Sequence, residues 1–125
     1  MLNKSAFLSG QSCEYRMVDV PEFGEGQQVR VKSLTAEQRQ RLFARIRNQQ
    51  QQPIPGGDEA LCCAMGMVDE AGALMFSESD SGDIGKHHPE VISRIADAIF
   101  ELSKMTAASR EAIEKNLQTT TSSNV

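Results

Sequence analysis

Ala64-Met-Gly-Met-Val-Asp-Glu-Ala-Gly-Ala-Leu-Met-Phe-Ser-Glu-Ser-Asp80, leading into a helix that ends near Met105, decides the fold of this chain. Val68 and the apolar run 74–76 flank Asp69-Glu-Ala-Gly72, in which Gly72 is the residue best able to take positive φ. That spacing predicts a turn in a small hairpin over 68–76. Ser77 with Asp80 three positions on predicts a short helical start, kept brief by Gly82 and Gly85. His88 then precedes Pro89, a favoured first helical residue. Ile92, Ile95, Ile99 and Leu102 recur at helical spacing, with Ala96 and Met105 completing the stripe and Arg94, Asp97, Glu101 and Lys104 on the opposite face. This is the strongest helix signal in the chain.

Upstream, Tyr15 to Val20 alternates, with Tyr15, Met17 and Asp19 on one side and Arg16, Val18 and Val20 on the other, and Pro21 ends the run. A second extended run over 27–34 centres on Val29 and Val31, with Gly24 and Gly26 between the two. The pair predicts a β-hairpin, which is marginal alone and needs a helix packed on it. Thr35-Ala-Glu-Gln38 is a capping-box pattern opening a helix over 36–48 with Leu42, Phe43 and Ile46 on one face. The run of glutamines to Gln52, then Pro53-Ile-Pro-Gly-Gly57, predicts a flexible linker over 49–57. Asp58 is the expected cap of a helix over 59–67, and Thr106 the cap of a last helix over 107–117 that carries Ile113 and Leu117. The expected organisation is a disordered segment 1–12, a single domain over 13–117 and a disordered tail 118–125. The expected fold is α+β, mostly α-helical, with an N-terminal β-hairpin, four or five helices and the small second hairpin.

Composition narrows the function. The 125 residues suffice for one domain with a modest core. Aromatic residues are only 5% and Trp is absent, so a core of Leu, Ile, Val, Met and Ala suits helix packing. A net charge of −4 argues against bulk electrostatic binding of nucleic acid. Three cysteines, two of them adjacent, read as reduced thiols of a cytoplasmic protein. The first ten residues hold one lysine and no long apolar run, so no signal peptide or spanning helix is expected.

Chemistry is thinly signalled. Cys62, Cys63, His87 and His88 are metal-ligand types, but adjacent cysteines on a helix diverge by about 100°, whereas structural zinc sites space their thiolates to converge. The expectation is one cysteine in the core, the other partly exposed, and no metal or cofactor. A cysteine nucleophile with a histidine base lacks any visible oxyanion-hole turn. Asp69-Glu-Ala-Gly72 lacks the further oxygen ligands of a calcium loop. Arg39, Arg41, Arg45 and Arg47 could meet phosphates, but Glu37 shares their helix and no stacking aromatic is interleaved. The acidic residues Asp69, Glu70, Glu78, Asp80 and Asp83 cluster apart from them, a separation of sign that suits contacts between copies or with a partner.

Four segments in order resemble the tail assembly chaperones of long-tailed bacteriophages, over about 29–116. They are Val29-Arg-Val-Lys-Ser-Leu-Thr-Ala-Glu-Gln-Arg; Met67-Val-Asp-Glu-Ala-Gly-Ala-Leu-Met-Phe76; the Ser-Glu-Ser-Asp helix start; and the amphipathic helix ending Leu102-Ser-Lys-Met-Thr, leading to Glu111-Ala-Ile-Glu-Lys-Asn116. The resemblance implies a non-enzymatic role. Such proteins hold the tape measure protein soluble in the host cytoplasm, help the tail tube protein polymerise around it, and are absent from the mature virion. It also implies a longer form made by ribosomal frameshifting, for which Lys115-Asn116 is compatible with a slippery A-AAA-AAC sequence. Methionines repack on varied partners, so the expected contact residues are Met67 and Met75 for a client. Arg39, Arg41, Arg45, Asp69 and Glu70 are those expected for a partner or a second copy. The alternatives are a nucleic-acid adaptor using the arginine face and, less favoured, a Cys/His metal protein.

Overall fold

The computed structural model describes residues 1–10 and 13–105. The expected helix over 107–117, the tail 118–125 and the 111–116 part of the resemblance lie outside the described residues.

The alternating run forms β1 (Tyr15–Asp19), and the second run forms β2 (Gln28–Lys32), antiparallel to it with Val18 opposite Val29. Val18, Val20 and Val31 are buried, while Met17 lies on the outer face. A third strand, β3 (Met67–Val68), pairs antiparallel with β2, giving the order β1-β2-β3. Val68 also bridges Leu74, so the small hairpin expected over 68–76 is present, and β3 joins it to the first hairpin in one sheet. Met67 was expected in the preceding helix. It is in the sheet instead because its carbonyl accepts from Met75 and its register partner is Val31.

Five helices are present among the described residues. The first, α1 (Lys4–Ser9), falls within the segment 1–12 expected to be disordered. Asn3 accepts from the amide of Ala6, Gly10 ends the helix, and none of its residues is buried. The capped helix α2 (Ala36–Arg47) shows the full capping box, with Gln38 and Thr35 exchanging side-chain-to-backbone bonds. Next, α3 (Asp58–Gly66) is capped by the backbone of Gly57 rather than by Asp58, which is its first helical residue. Its residues from Ala60 to Gly66 are all buried, as expected of a helix apolar all round. A short 3₁₀ turn (Glu78–Asp80) runs into α4 (Ser81–Ile84), and α5 (Pro89–Leu102) carries the long apolar stripe.

The core lies between the inner face of the sheet, α3 and α5. Ile92, Ile95, Ala96, Ile99 and Met105 are all buried in it, with Leu102 half-buried at its edge. Each large aliphatic side chain buried there contributes about 1.5–3 kcal/mol relative to exposure. Gly66 lets α3 approach α5 closely, since a Cβ there would sit 2.6 Å from Ile99 Cδ1. Both adjacent cysteines are fully buried, correcting the expectation that one is partly exposed, because α3 has no solvent face.

The stretch 49–57 is also corrected. Ile54 is buried in the core, and the amide of Gly57 donates to its carbonyl. Gly56 packs against the backbone of Ser81 and Gly85. The composition of a linker here serves a tight crossing, in which prolines set direction and glycines allow backbones to touch.

Under α2 lies a polar cluster. Lys32 is buried and donates from Nζ to Gln38 Oε1 at 2.6 Å and to the carbonyl of Ser33 at 3.1 Å. Gln38 Nε2 donates to the carbonyl of Met65 at 3.0 Å. Burial pushes the Lys32 ammonium below its usual range, with Cys13 acting in the opposite sense. Ser103 donates to Ile99 and accepts from the amide of Leu34, tying the end of α5 to the strand–helix junction.

Candidate binding site

The turn after β1 begins with Val20, whose amide donates to Gln27, and continues as a 3₁₀ turn over Pro21–Phe23. Pro21 presets the turn and Gly24, at φ 136°, closes it. This places Phe23 against His87, ring centroids 5.5 Å apart and edge-on. The turn is fastened to α5 by Arg94, whose guanidinium donates to both carboxylate oxygens of Glu22 at 2.8 Å and to the carbonyl of Asp19 at 3.2 Å.

The opposite wall comes from the second hairpin. Asp69 Oδ1 accepts from the amides of Ala71 and Ala73, and Gly72, at φ 86°, donates to the carbonyl of Asp69. Tyr15 lies against Gly72, and Arg30 sits over the Tyr15 ring at 4.2 Å while donating to the carbonyl of Glu70. Met75 and Phe76 are thereby carried back over the sheet.

Between these walls opens an apolar cavity of about 380 Å³. Val20, Phe23 and Val29 line it from the first hairpin, Met67, Met75 and Phe76 from the second, and Ile84, Val91, Ile92 and Ile95 from the helices. The polar residues in the lining are Gln27, Gln28, Asp83 and His87. The volume falls within the range of pockets that take one small ligand or a few side chains. Phe23 and Met75 are each about half exposed at its rim. A second groove, on the outer sheet face, continues past Met75 to Met17, Val68, Asp69 and Glu70.

The structure therefore brings Met67 and Met75 together, Met67 in the floor and Met75 at the rim, and sets Asp69 and Glu70 in the adjoining groove. Met67 is buried, so the apolar surface expected around both methionines belongs to Met75 and its neighbours. Asp69 spends a carboxylate oxygen on its own turn. Arg39, Arg41 and Arg45 do not line the cavity. Arg41 pairs with Glu37 at 2.7 Å and with Glu78 at 2.8 Å, which holds α2 to the Glu78–Asp80 turn. The separation of sign read from the sequence is thus closed within the chain at this pair. The Glu78 hydrogen bond raises the Arg41 pKa further. Arg39 lies over the Phe43 ring at 5.7 Å, its Nε buried without a hydrogen-bond partner among the described residues, and Arg45 is half-buried.

Phe23 and Ile84 are not among the site candidates that the sequence offers, and His87 appears there only as a metal-ligand type. The available signal was a phenylalanine set between Pro21 and Gly24, in a turn that otherwise holds polar residues.

The histidines and cysteines do not converge. His88 Nδ1 accepts from the amide of Glu90 as a helix cap. Cys62 and Cys63 point at the carbonyls of Ala96 and Ile92. No group of three His, Cys, Asp or Glu residues that could hold a metal ion occurs among the described residues. Burial pushes the Cys63 thiol up to about 12, with Glu59 adding to the shift. In native protein at neutral pH a thiol reagent is therefore expected to modify Cys13, which is partly exposed, and to spare Cys62 and Cys63 until the chain unfolds. Mass spectrometry of the labelled peptides reads this directly.

Glu22 is held at about 2, from its ordinary 4.5, first by the Arg94 hydrogen bond and next by a backbone hydrogen bond of its own. A carboxylate depressed in the folded state contributes stability that is present above about pH 4.5 and is lost as pH falls toward about 2. An NMR titration of the Glu22 carboxyl is expected to show the low midpoint, and Arg94→Gln to return it toward 4.5. A midpoint unchanged by Arg94→Gln would show that the turn bearing Phe23 is not held this way.

No helix among the described residues is long and apolar enough to cross a membrane. Comparison with protein-family profiles, with curated proteins and with solved structures finds no match to this chain.

Proposed function

We propose that this chain is a non-enzymatic tail assembly chaperone of a long-tailed bacteriophage. It acts in the host cytoplasm and leaves before the virion matures. Its client is the tape measure protein, whose apolar helical stretches need cover until the tail tube protein polymerises around them. The observation that supports this reading is the solvent-open apolar cavity with Phe23 and Met75 half exposed at its rim. Two client side chains buried there would supply about 3–6 kcal/mol before the cost of association. Association itself costs about 4–15 kcal/mol, so this cavity holds a client only together with further contacts, and it releases one readily. Met75 suits the task because an unbranched thioether adapts to differently shaped partners.

The adaptor reading through the arginine face is weaker. Arg41, near the middle of that face, gives its guanidinium to Glu37 and Glu78. The metal-protein reading lacks a convergent ligand set among the described residues.

Co-expression with the tape measure protein of the same genome tests the proposal. The native chain is expected to keep the tape measure protein in the soluble fraction, and a Phe23→Asp/Met75→Asp chain to lose most of that effect while keeping its own thermal transition. A tape measure protein that stays insoluble beside the native chain sinks the reading. So does one that is rescued equally well by the double variant.

A further inference from the structure

The apolar cavity does not end at its rim. It shares Gln28, Val29 and Met75 with the groove on the outer sheet face, so the two form one continuous depression. Beyond Met75 its character changes, because Asp69 and Glu70 of the second hairpin line the groove. Both residues are exposed, and neither carboxylate takes part in an ion pair among the described residues. Asp69 accepts its turn amides through Oδ1, which leaves Oδ2 for a partner.

Arg30 lines the same groove but does not cancel these charges. Its guanidinium lies over the Tyr15 ring at 4.2 Å and donates to the backbone carbonyl of Glu70, not to its carboxylate. Asp83, the carboxylate in the cavity lining, is already answered by Lys86 at 3.3 Å. The unspent charge of the joined depression is therefore negative and sits at Asp69 and Glu70.

We propose that the cavity and this groove together bind an amphipathic helix of a partner chain. Its apolar side chains enter the cavity, and a lysine or arginine of the same face meets Glu70 and Asp69. Spacing fits this arrangement. Met67 lines the cavity, and Glu70 follows it by three residues, at most about 10 Å at strand rise. That is about two turns of helix. A helix laid in a groove presents its anchors at i and i+3 or i+4, here with the basic residue a turn or two further on. An acidic segment would meet like charge instead. The ion pair stays at the wet rim, where it selects the partner and speeds its approach more than it tightens the complex. It is also a contact beyond the cavity, which the cavity needs in order to hold a client.

The inference rests on the reading of the cavity as a client site, but not on the client being a tape measure protein. A chain that selects a basic helix yet leaves a tape measure protein insoluble would remove the proposed function and leave this inference standing. A tape measure protein held soluble by a chain that does not tell basic from acidic helices would do the reverse.

Fluorescence anisotropy of the full chain with two labelled synthetic helices tests it. One carries two leucines a turn apart and lysines on the same face in the turns beyond them. The other has glutamates in place of the lysines. The native chain is expected to bind the lysine helix about tenfold more tightly at low salt, and the preference to shrink as salt is raised. Glu70→Lys is expected to reverse the preference, weakening the lysine helix and strengthening the glutamate one. It should keep the native melting curve, because the Glu70 side chain is exposed and the bond to Arg30 is made by the backbone. Phe23→Asp/Met75→Asp is expected to lose both helices. Equal binding of the two helices by the native chain overturns the proposal, and so does binding of neither. A preference that Glu70→Lys leaves unchanged also overturns it, as does a lysine helix still held by the Phe23/Met75 variant, which would place that helix on the acidic turn alone.

Discussion

Gln38→Leu is expected to cost about 2–4 kcal/mol of folding stability, the sum of several buried polar groups left without partners. Gln38 Oε1 accepts from the buried ammonium of Lys32 and from the amide of Thr35, and its Nε2 donates to the carbonyl of Met65. Leucine is of similar size and supplies none of these. Lys32 would keep only the carbonyl of Ser33, and a buried cation short of acceptors is the most expensive of the losses. Urea denaturation should show the midpoint falling with an unchanged slope. Adding Lys32→Met to the same chain should recover part of the loss, because removing the orphaned charge removes its penalty. A Gln38→Leu chain as stable as the native one, or a double variant whose losses simply add, would show that the three bonds do not act as one unit.

The second large effect is expected at Gly56. Its φ of +81° is costly for any residue with a Cβ, and the Cβ of an alanine would collide with the carbonyl oxygen of Ser81 while lying 3.0 Å from Ala60 Cβ. Left-handed strain of about 1–2 kcal/mol adds to overpacking of about 1–3 kcal/mol. Gly57 provides the control. Its φ is +92°, but nothing lies within 4 Å of its Cβ position. With ψ at 173° Gly57 lies in a glycine-only region, so Gly57→Ala should cost the backbone part alone, about 1–3 kcal/mol, and Gly56→Ala more, because it adds the clash with Ser81. Equal losses in thermal or urea unfolding would mean that the crossing between 54–57 and α4 can open without penalty. The crossing matters for the cavity because α4 carries Ile84 into its lining.

What was legible in the sequence is what short-range physics decides. The α5 stripe, the capping box at Thr35 and Gln38, the alternation of β1 and the Gly72 turn each depend on residues a few positions apart. The structure has all four. The failures share a different cause. Pro53, Pro55, Gly56 and Gly57 have the composition of a linker, and only the arrival of Ser81 and Gly85 from more than twenty residues away turns that stretch into a close crossing. Gly66 can end α3 just before Met67, but nothing local announces that Met67 then pairs with Val31. Cys62 and Cys63 occupy different sides of a helix, and one was assigned to solvent because nothing in the sequence showed that α3 is enclosed on every side. The α1 helix was missed because its signal is one asparagine cap ahead of six residues. Of the candidate site, the methionines were visible as residue types. The meeting of Phe23, Ile84 and His87 was not, since it is made by the Glu22–Arg94 tie and by the position of α4.

The absence of a loop between α3 and β3 has a geometric meaning. Helix passes into strand at Met67 with no residue between, so the spacing from the end of α3 to the start of β3 is set by the backbone itself. The Met67 side chain floors the cavity, and two residues earlier the carbonyl of Met65 is gripped by Gln38. The floor of the cavity and the anchor of the arginine-bearing helix are therefore set two residues apart on one unbroken stretch of backbone.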